Sequence, residues 1–99
     1  MSEVAANTIE LPARLDVPAA EALLAELLEF RGRDSDLVIA GSDVGLVDTP
    51  AIQILMSAAR DQAARKRAFT LNEPSAAIRQ AMELMGLENE LANWRGCNE

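Results

Sequence analysis

The segment Asn7-Thr8-Ile9-Glu10-Leu11 alternates polar and apolar side chains, with Ile9 and Leu11 on one face, and this period of two predicts a half-buried strand. Pro12 cannot donate a ladder hydrogen bond and ends it, and Arg14-Leu15 reads as a second short strand. From Asp16 onward the period changes. Ala20, Leu23, Leu24, Leu27 and Leu28 recur at i, i+3, i+4, i+7 and i+8, with Glu21 and Glu29 off that stripe, which predicts an amphipathic helix of about four turns. Asp16 is suited to cap it, Pro18 is harmless in its first turn, and Gly32 marks its end.

The continuous apolar run Leu37-Val38-Ile39-Ala40 predicts a central strand buried on both faces. Gly41 to Val47 reads as a loop. Thr49 is then a natural N-cap, with Pro50 at the first helical position. The helix that follows aligns Ile52, Leu55, Met56, Ala59 and Ala63 on one face, with Ile54 and Ala58 off that stripe, read either as the apolar centre of a docking face or as the flank of a broad buried face. Arg60, Arg65, Lys66 and Arg67 gather at its C-terminal end, where they complement the helix dipole. Ala68 to Leu71 predicts a further strand. A third helix after the Asn72–Ser75 loop aligns Ile78, Ala81, Met82 and Met85, with an exposed Arg79–Glu83 pair, and Gly86 closes it. Leu87 and Leu91 are expected to dock on the core, and the tail from Asn93 to be loose. The order is one or two strands, helix, strand, helix, strand, helix, with no internal repeat. It predicts a single α/β domain over residues 1–99, with parallel neighbours in the sheet.

Composition narrows the function. The 99 residues carry nine Lys and Arg against sixteen Asp and Glu, no His, no Tyr and three aromatics. Such an acidic chain is repelled by phosphate backbones and lacks aromatic platforms for bases, so nucleic acid is not an expected partner. The lack of His excludes imidazole-based triads and zinc sites, and no cofactor or metal is expected. No apolar run approaches the ~20 residues of a membrane span. Met1 to Asn7 carry no basic or apolar leader segments, and Cys97 alone cannot close an internal disulfide. A cytoplasmic protein without membrane insertion is the expectation. Residues 1–59 hold three basic and ten acidic side chains, whereas residues 60–99 hold six of each. The first half therefore offers either a solubilising surface or a field for a basic partner.

Enzymatic constellations are scarce. Asp43 and Asp48 are near in sequence and suit acid–base work, but loop aspartates are more often turn formers and caps. Gly41-Ser42-Asp43-Val44-Gly45 lacks the lysine and spacing of a phosphate-cradling loop. Met82 and Met85 read as core. Thr49 stands out as a hydroxyl at a helix start, read either as a plain N-cap or as an acceptor for phosphate.

Three segments, in order, resemble the STAS domain family, which includes bacterial anti-sigma factor antagonists and the tails of sulphate transporters. Leu11-Pro12-Ala13-Arg14-Leu15-Asp16 is similar to the family's L-x-G-x-L-D approach to the first helix. Val44 to Ile52 is similar to V-x-x-I-D-S-S-G-L, whose first serine accepts phosphate. Pro74 to Arg79 with Leu84-Met85-Gly86-Leu87 is similar to the last helix and its L-x-G-L ending. Pro50 and Ala51 stand where the family has Ser and Gly, Ala13 replaces a Gly, and Ala40 replaces an Asp or Asn. The resemblance, over about residues 8–91, implies a small mixed sheet of about four strands with three main helices packed against it. It implies a non-enzymatic signalling protein that docks on an anti-sigma factor kinase and is released when Thr49 is phosphorylated. Asp48, Thr49, Pro50, Ala51, Gln53 and Ile54 become the expected partner-binding residues, with Thr49 as the phosphorylation site. The alternative it implies is a non-phosphorylated adaptor, either on the ATPase of a lipid-transport ABC complex, whose STAS subunit also has a Thr acceptor, or beside chemotaxis proteins.

Overall fold

Ile9, Leu37, Ile39 and Leu71 lie on segments that the sequence pattern assigned to buried strands, and all four are in the core, whereas Val38 and Ala40, expected to be buried as well, are half-buried. In the computed structural model, which describes residues 8–33 and 35–94, they sit on three strands: β1 (Thr8–Glu10), β3 (Leu37–Ala40) and β5 (Phe69–Asn72). These form one parallel sheet in the order β1-β3-β5, with Ile9 beside Ile39 and Ile39 beside Leu71. A second pairing, also parallel, joins β2 (Arg14–Leu15) to β4 (Leu46–Val47). The α/β architecture is the expected one. In detail its five strands divide three and two, and Leu46-Val47, expected in a loop, is a strand.

Helix α1 (Val17–Phe30) leads from β2 to β3, and α2 (Thr49–Ala64) leads from β4 to β5. Both crossovers step the same way across the sheet, so right-handed connections put both helices on one face, where they pack on each other. The inward side of α1 is Ala20, Leu23, Leu27 and Phe30. Leu24 and Leu28, assigned to the same stripe, are instead 44% and 54% exposed, because a stripe spaced by three and four spans more of the helix than the sheet covers. A 3-10 turn at Arg31–Arg33 follows directly, so α1 stops just before Gly32.

The described residues end with α3 (Ala76–Leu84) and α4 (Glu88–Trp94), which pack together, with α4 against β5. Ser75 caps α3 by accepting from the Ile78 amide at 3.2 Å. Of the two methionines read as core, Met82 is buried but Met85 is exposed, since it lies past the last residue of α3 and caps it. Ala63 is also exposed, near the solvent end of α2. Arg79 donates to the Pro74 carbonyl at 3.4 Å. Gly86 adopts φ +75°, the left-handed closure expected of it. Of the tail expected to be loose, Asn93 and Trp94 belong to α4, and Trp94 is buried with its ring edge-on to Phe69 at 5.2 Å between centroids; the rest lies outside the described residues. Cys97 lies outside the described residues.

One buried polar side chain fastens the C-terminal end of α2. The Gln62 amide donates to the carbonyls of Ser35 at 2.9 Å and Ala68 at 3.0 Å, tying α2 to the chain on either side of it. Beside it, Asp61 pairs with Arg31 at 3.2 Å and Arg65 at 3.3 Å, and Arg65 donates to the Arg31 carbonyl at 2.9 Å. Arg65 thus fastens the helix end through Asp61 and Arg31, whereas no basic side chain of the expected cluster lies in the last turn of α2. Replacing Gln62 with Met keeps the volume but leaves the Ser35 carbonyl without this donor, while the Ala68 carbonyl keeps the Leu37 amide at 2.9 Å. Urea unfolding is expected to register a loss of about 1–3 kcal/mol, with the slope unchanged.

Candidate functional site

The pairing of β2 with β4 sets Leu15 beside Val47, and the Asp48 amide donates to the Leu15 carbonyl at 2.9 Å. Both strands then turn into helices, so α1 and α2 begin side by side. The local sequences match: Leu15-Asp16-Val17-Pro18-Ala19 and Val47-Asp48-Thr49-Pro50-Ala51. This short recurrence escaped the expectation of no internal repeat because it covers only the two helix starts.

The two starts differ in their side chains. Asp16 accepts from the Ala19 amide at 3.2 Å, an N-cap as expected, and pairs with Arg14 at 3.7 Å. Asp48, not Thr49, holds the N-cap position of α2, with extended backbone (φ −96°, ψ 157°), and its side chain makes no capping bond. Thr49 is the first residue of the helix and Pro50 the second, each one place further in than the sequence reading put it. Thr49 is exposed, and its hydroxyl makes no hydrogen bond to any described residue.

The first turn of α2 is held from beneath. Ala51, Ile52 and Leu55 are completely buried. Ala51 was expected to contact a partner; its methyl points into the core instead, one helical position away from the exposed Pro50. Thr49, Pro50 and Gln53 form the exposed part of the expected face, Asp48 is half-buried, and Ile54 lies half-buried at its shoulder. The structure thus brings together five of the six residues at the surface or its edge.

Past Ile54 the surface falls into an open, mainly apolar groove of about 210 Å³ between α1 and α2. Leu24 and Leu28 form one wall, and Ile54, Ser57 and Ala58 the other. Sequence reasoning missed this groove, although the shoulder positions of both helices held its signal. Asp43 lies elsewhere, in a small depression of about 110 Å³ with Glu10, Leu11, Ala40 and Ser42, and Asp48 does not line it. The two aspartates therefore share no pocket. Among the described residues no group of three or more His, Cys, Asp or Glu is arranged to hold a metal.

A family model described as "Mlab, STAS domain" matches residues 2–93. The chain belongs to the STAS domain family. Comparison with curated proteins gives no match. STAS membership supports a regulatory or signalling domain that works through protein–protein contacts, in a family that is generally non-catalytic. Among the described residues no helix is long and apolar enough to cross a membrane.

Within this STAS domain the capping side chains of α1 and α3 are engaged, while the Thr49 hydroxyl and the Asp48 carboxylate at the head of α2 make no bond to a described residue. Thermal or urea unfolding is expected to distinguish them. Ser75→Ala loses a cap and about 1 kcal/mol, whereas Thr49→Ala stays within about 0.5 kcal/mol of the parent.

Proposed function

We propose that this STAS domain is a cytoplasmic, non-enzymatic docking regulator that presents Thr49, Pro50, Gln53 and Ile54 to a protein partner, with Thr49 as the phosphoacceptor that releases it. The exposed, unengaged hydroxyl of Thr49, on a helical turn anchored by Ala51 and Ile52, is the observation on which this rests. The N-cap position belongs to Asp48, so the helix does not depend on the Thr49 oxygen. A kinase reaches an exposed hydroxyl, and a partner meets a turn that needs no ordering on contact.

The effect of phosphate follows from charge. Phosphorylation adds about −1.5 to −2 charges beside the Asp48 carboxylate. Pro50 contributes no backbone N–H to solvate them, and the acidic first half of the chain offers little neutralisation. A partner surface that fits the free hydroxyl then faces repulsion and a desolvation cost. The family's anti-sigma factor kinases, with their histidine-kinase-like ATPase fold, are the partner class that fits this switch.

The family model's description and the Thr at the acceptor position favour a second reading, in which the same face docks permanently as an adaptor on a transporter ATPase. A chemotaxis-associated signalling role belongs to the same non-phosphorylated class. Incubation with the partner kinase and ATP, followed by mass spectrometry, is expected to find one phosphate, on Thr49, that is absent from Thr49→Ala. Thr49→Glu is expected to weaken partner binding at least about tenfold. Undiminished binding by Thr49→Glu, with no phosphate acquired, would remove the switch. Recovery of a transporter ATPase in that case would select the adaptor.

A further inference from the structure

Three of the large apolar side chains left at the surface lie on α1: Val17, Leu24 and Leu28, which are 49%, 44% and 54% exposed. With Glu21 between them and Arg31 after them they occupy positions i, i+4, i+7, i+11 and i+14. Alternating steps of four and three make the seam of a coiled coil. The backbone of Arg31 (φ −54°, ψ −29°) keeps it on the helical path, so the seam is continuous along about 21 Å of α1. It runs beside the α1–α2 groove, whose far wall is Ile54, Ser57 and Ala58.

We infer that this seam is a self-association surface, in which α1 of a second copy of this chain lies antiparallel along it and in the groove. Charge chooses both occupant and direction. The seam has a carboxylate toward its start and a guanidinium at its end. Turning a second copy about a two-fold axis level with Glu26, midway between Leu24 and Leu28, sets each Glu21 opposite Arg31 of the other copy, and the contact is made twice. A parallel pair would oppose Glu21 to Glu21 and Arg31 to Arg31. Arg31 already pairs with Asp61 at 3.2 Å, but half of its side chain remains exposed for a second carboxylate. At the centre, Leu24 of each copy meets Leu28 of the other, against the groove wall of Ile54 and Ala58.

The contact is smaller than a standard interface of about 800 Å² per partner, and two chains of net charge −7 repel one another at long range. The dimer is therefore weak and requires screening salt. Sedimentation velocity on the whole chain at about 0.15 M salt, where charges are screened beyond about 8 Å, is expected to pass from monomer to dimer between about 10 μM and 1 mM. Leu24→Glu, an exposed position where far-UV circular dichroism is expected to stay unchanged, abolishes the dimer. Glu21→Arg weakens it at least about tenfold, and the double variant Glu21→Arg/Arg31→Glu restores it. A monomer at every concentration, a dimer indifferent to Leu24→Glu, or one strengthened by Glu21→Arg alone would overturn the inference. None of these substitutions touches Thr49, so the result is read independently of the docking role proposed for it.

Discussion

Two residues of parallel strand determine where the exposed chemistry of this protein lies. Arg14-Leu15 meets Leu46-Val47, with the Gly45 amide on the Ala13 carbonyl at 2.8 Å and the Asp48 amide on that of Leu15 at 2.9 Å. These backbone bonds start α1 and α2 on a common line, and burial of Leu23, Leu27, Ile52 and Leu55 keeps the helices adjacent from there on. Because the backbone supplies this junction, the side chains at the head of α2 are released from holding it. The opposite end is built the other way round, with Gln62, Asp61 and Arg65 making side-chain ties. One end of the helix pair is thus occupied by its own interactions, and the other has functional groups to spare.

Much of this was legible in the sequence because apolar runs and alternation mark the buried strands even when these are short. Ile9, Leu37, Ile39 and Leu71 declared the strands, and Asp16 with Pro18 declared the start of α1. The α2 start was legible to within one residue: the pattern of a hydroxyl before proline put the cap on Thr49, whereas the backbone turns helical one residue earlier. A two-residue strand such as β4 has no period to detect, and its pairing partner lies some thirty residues away. Gln62 was hidden for a different reason. Its position, seven residues after Leu55, lies on the buried face, but a polar residue there announces itself only when the carbonyls it satisfies are known to converge. Trp94 likewise depends on Phe69, a distant contact that local pattern cannot supply. At the site, the sequence found the exposed Thr49, Pro50 and Gln53 but counted Ala51 among them, since adjacency in a motif says nothing of which way a helix turns its side chains.

The groove and the head of α2 meet at Ile54, and this junction links the two surfaces. A side chain that is half-buried against the core presents apolar area without being free to move. Such fixed, partly exposed apolar positions lose little conformational entropy on contact, which favours their use in interfaces over equally apolar but mobile ones. Leu84, 89% exposed at the end of α3, is the contrasting case, an apolar side chain that the core does not hold.

Rigidity also decides what kind of switch a phosphate at Thr49 makes. Where a modified residue sits on a loose loop, the added charge acts by reordering the loop, and the signal is a change of shape. Here the turn is pinned by Ala51, Ile52 and Leu55, each wholly buried, and by the Asp48 amide on β2. The turn has nowhere to relax, so the proposed phosphate stays where a partner meets it and acts as a fixed negative charge. The switch is then one of surface potential with the fold unchanged. Salt screens part of the long-range repulsion, but the desolvation of a buried phosphate at close contact persists at any ionic strength.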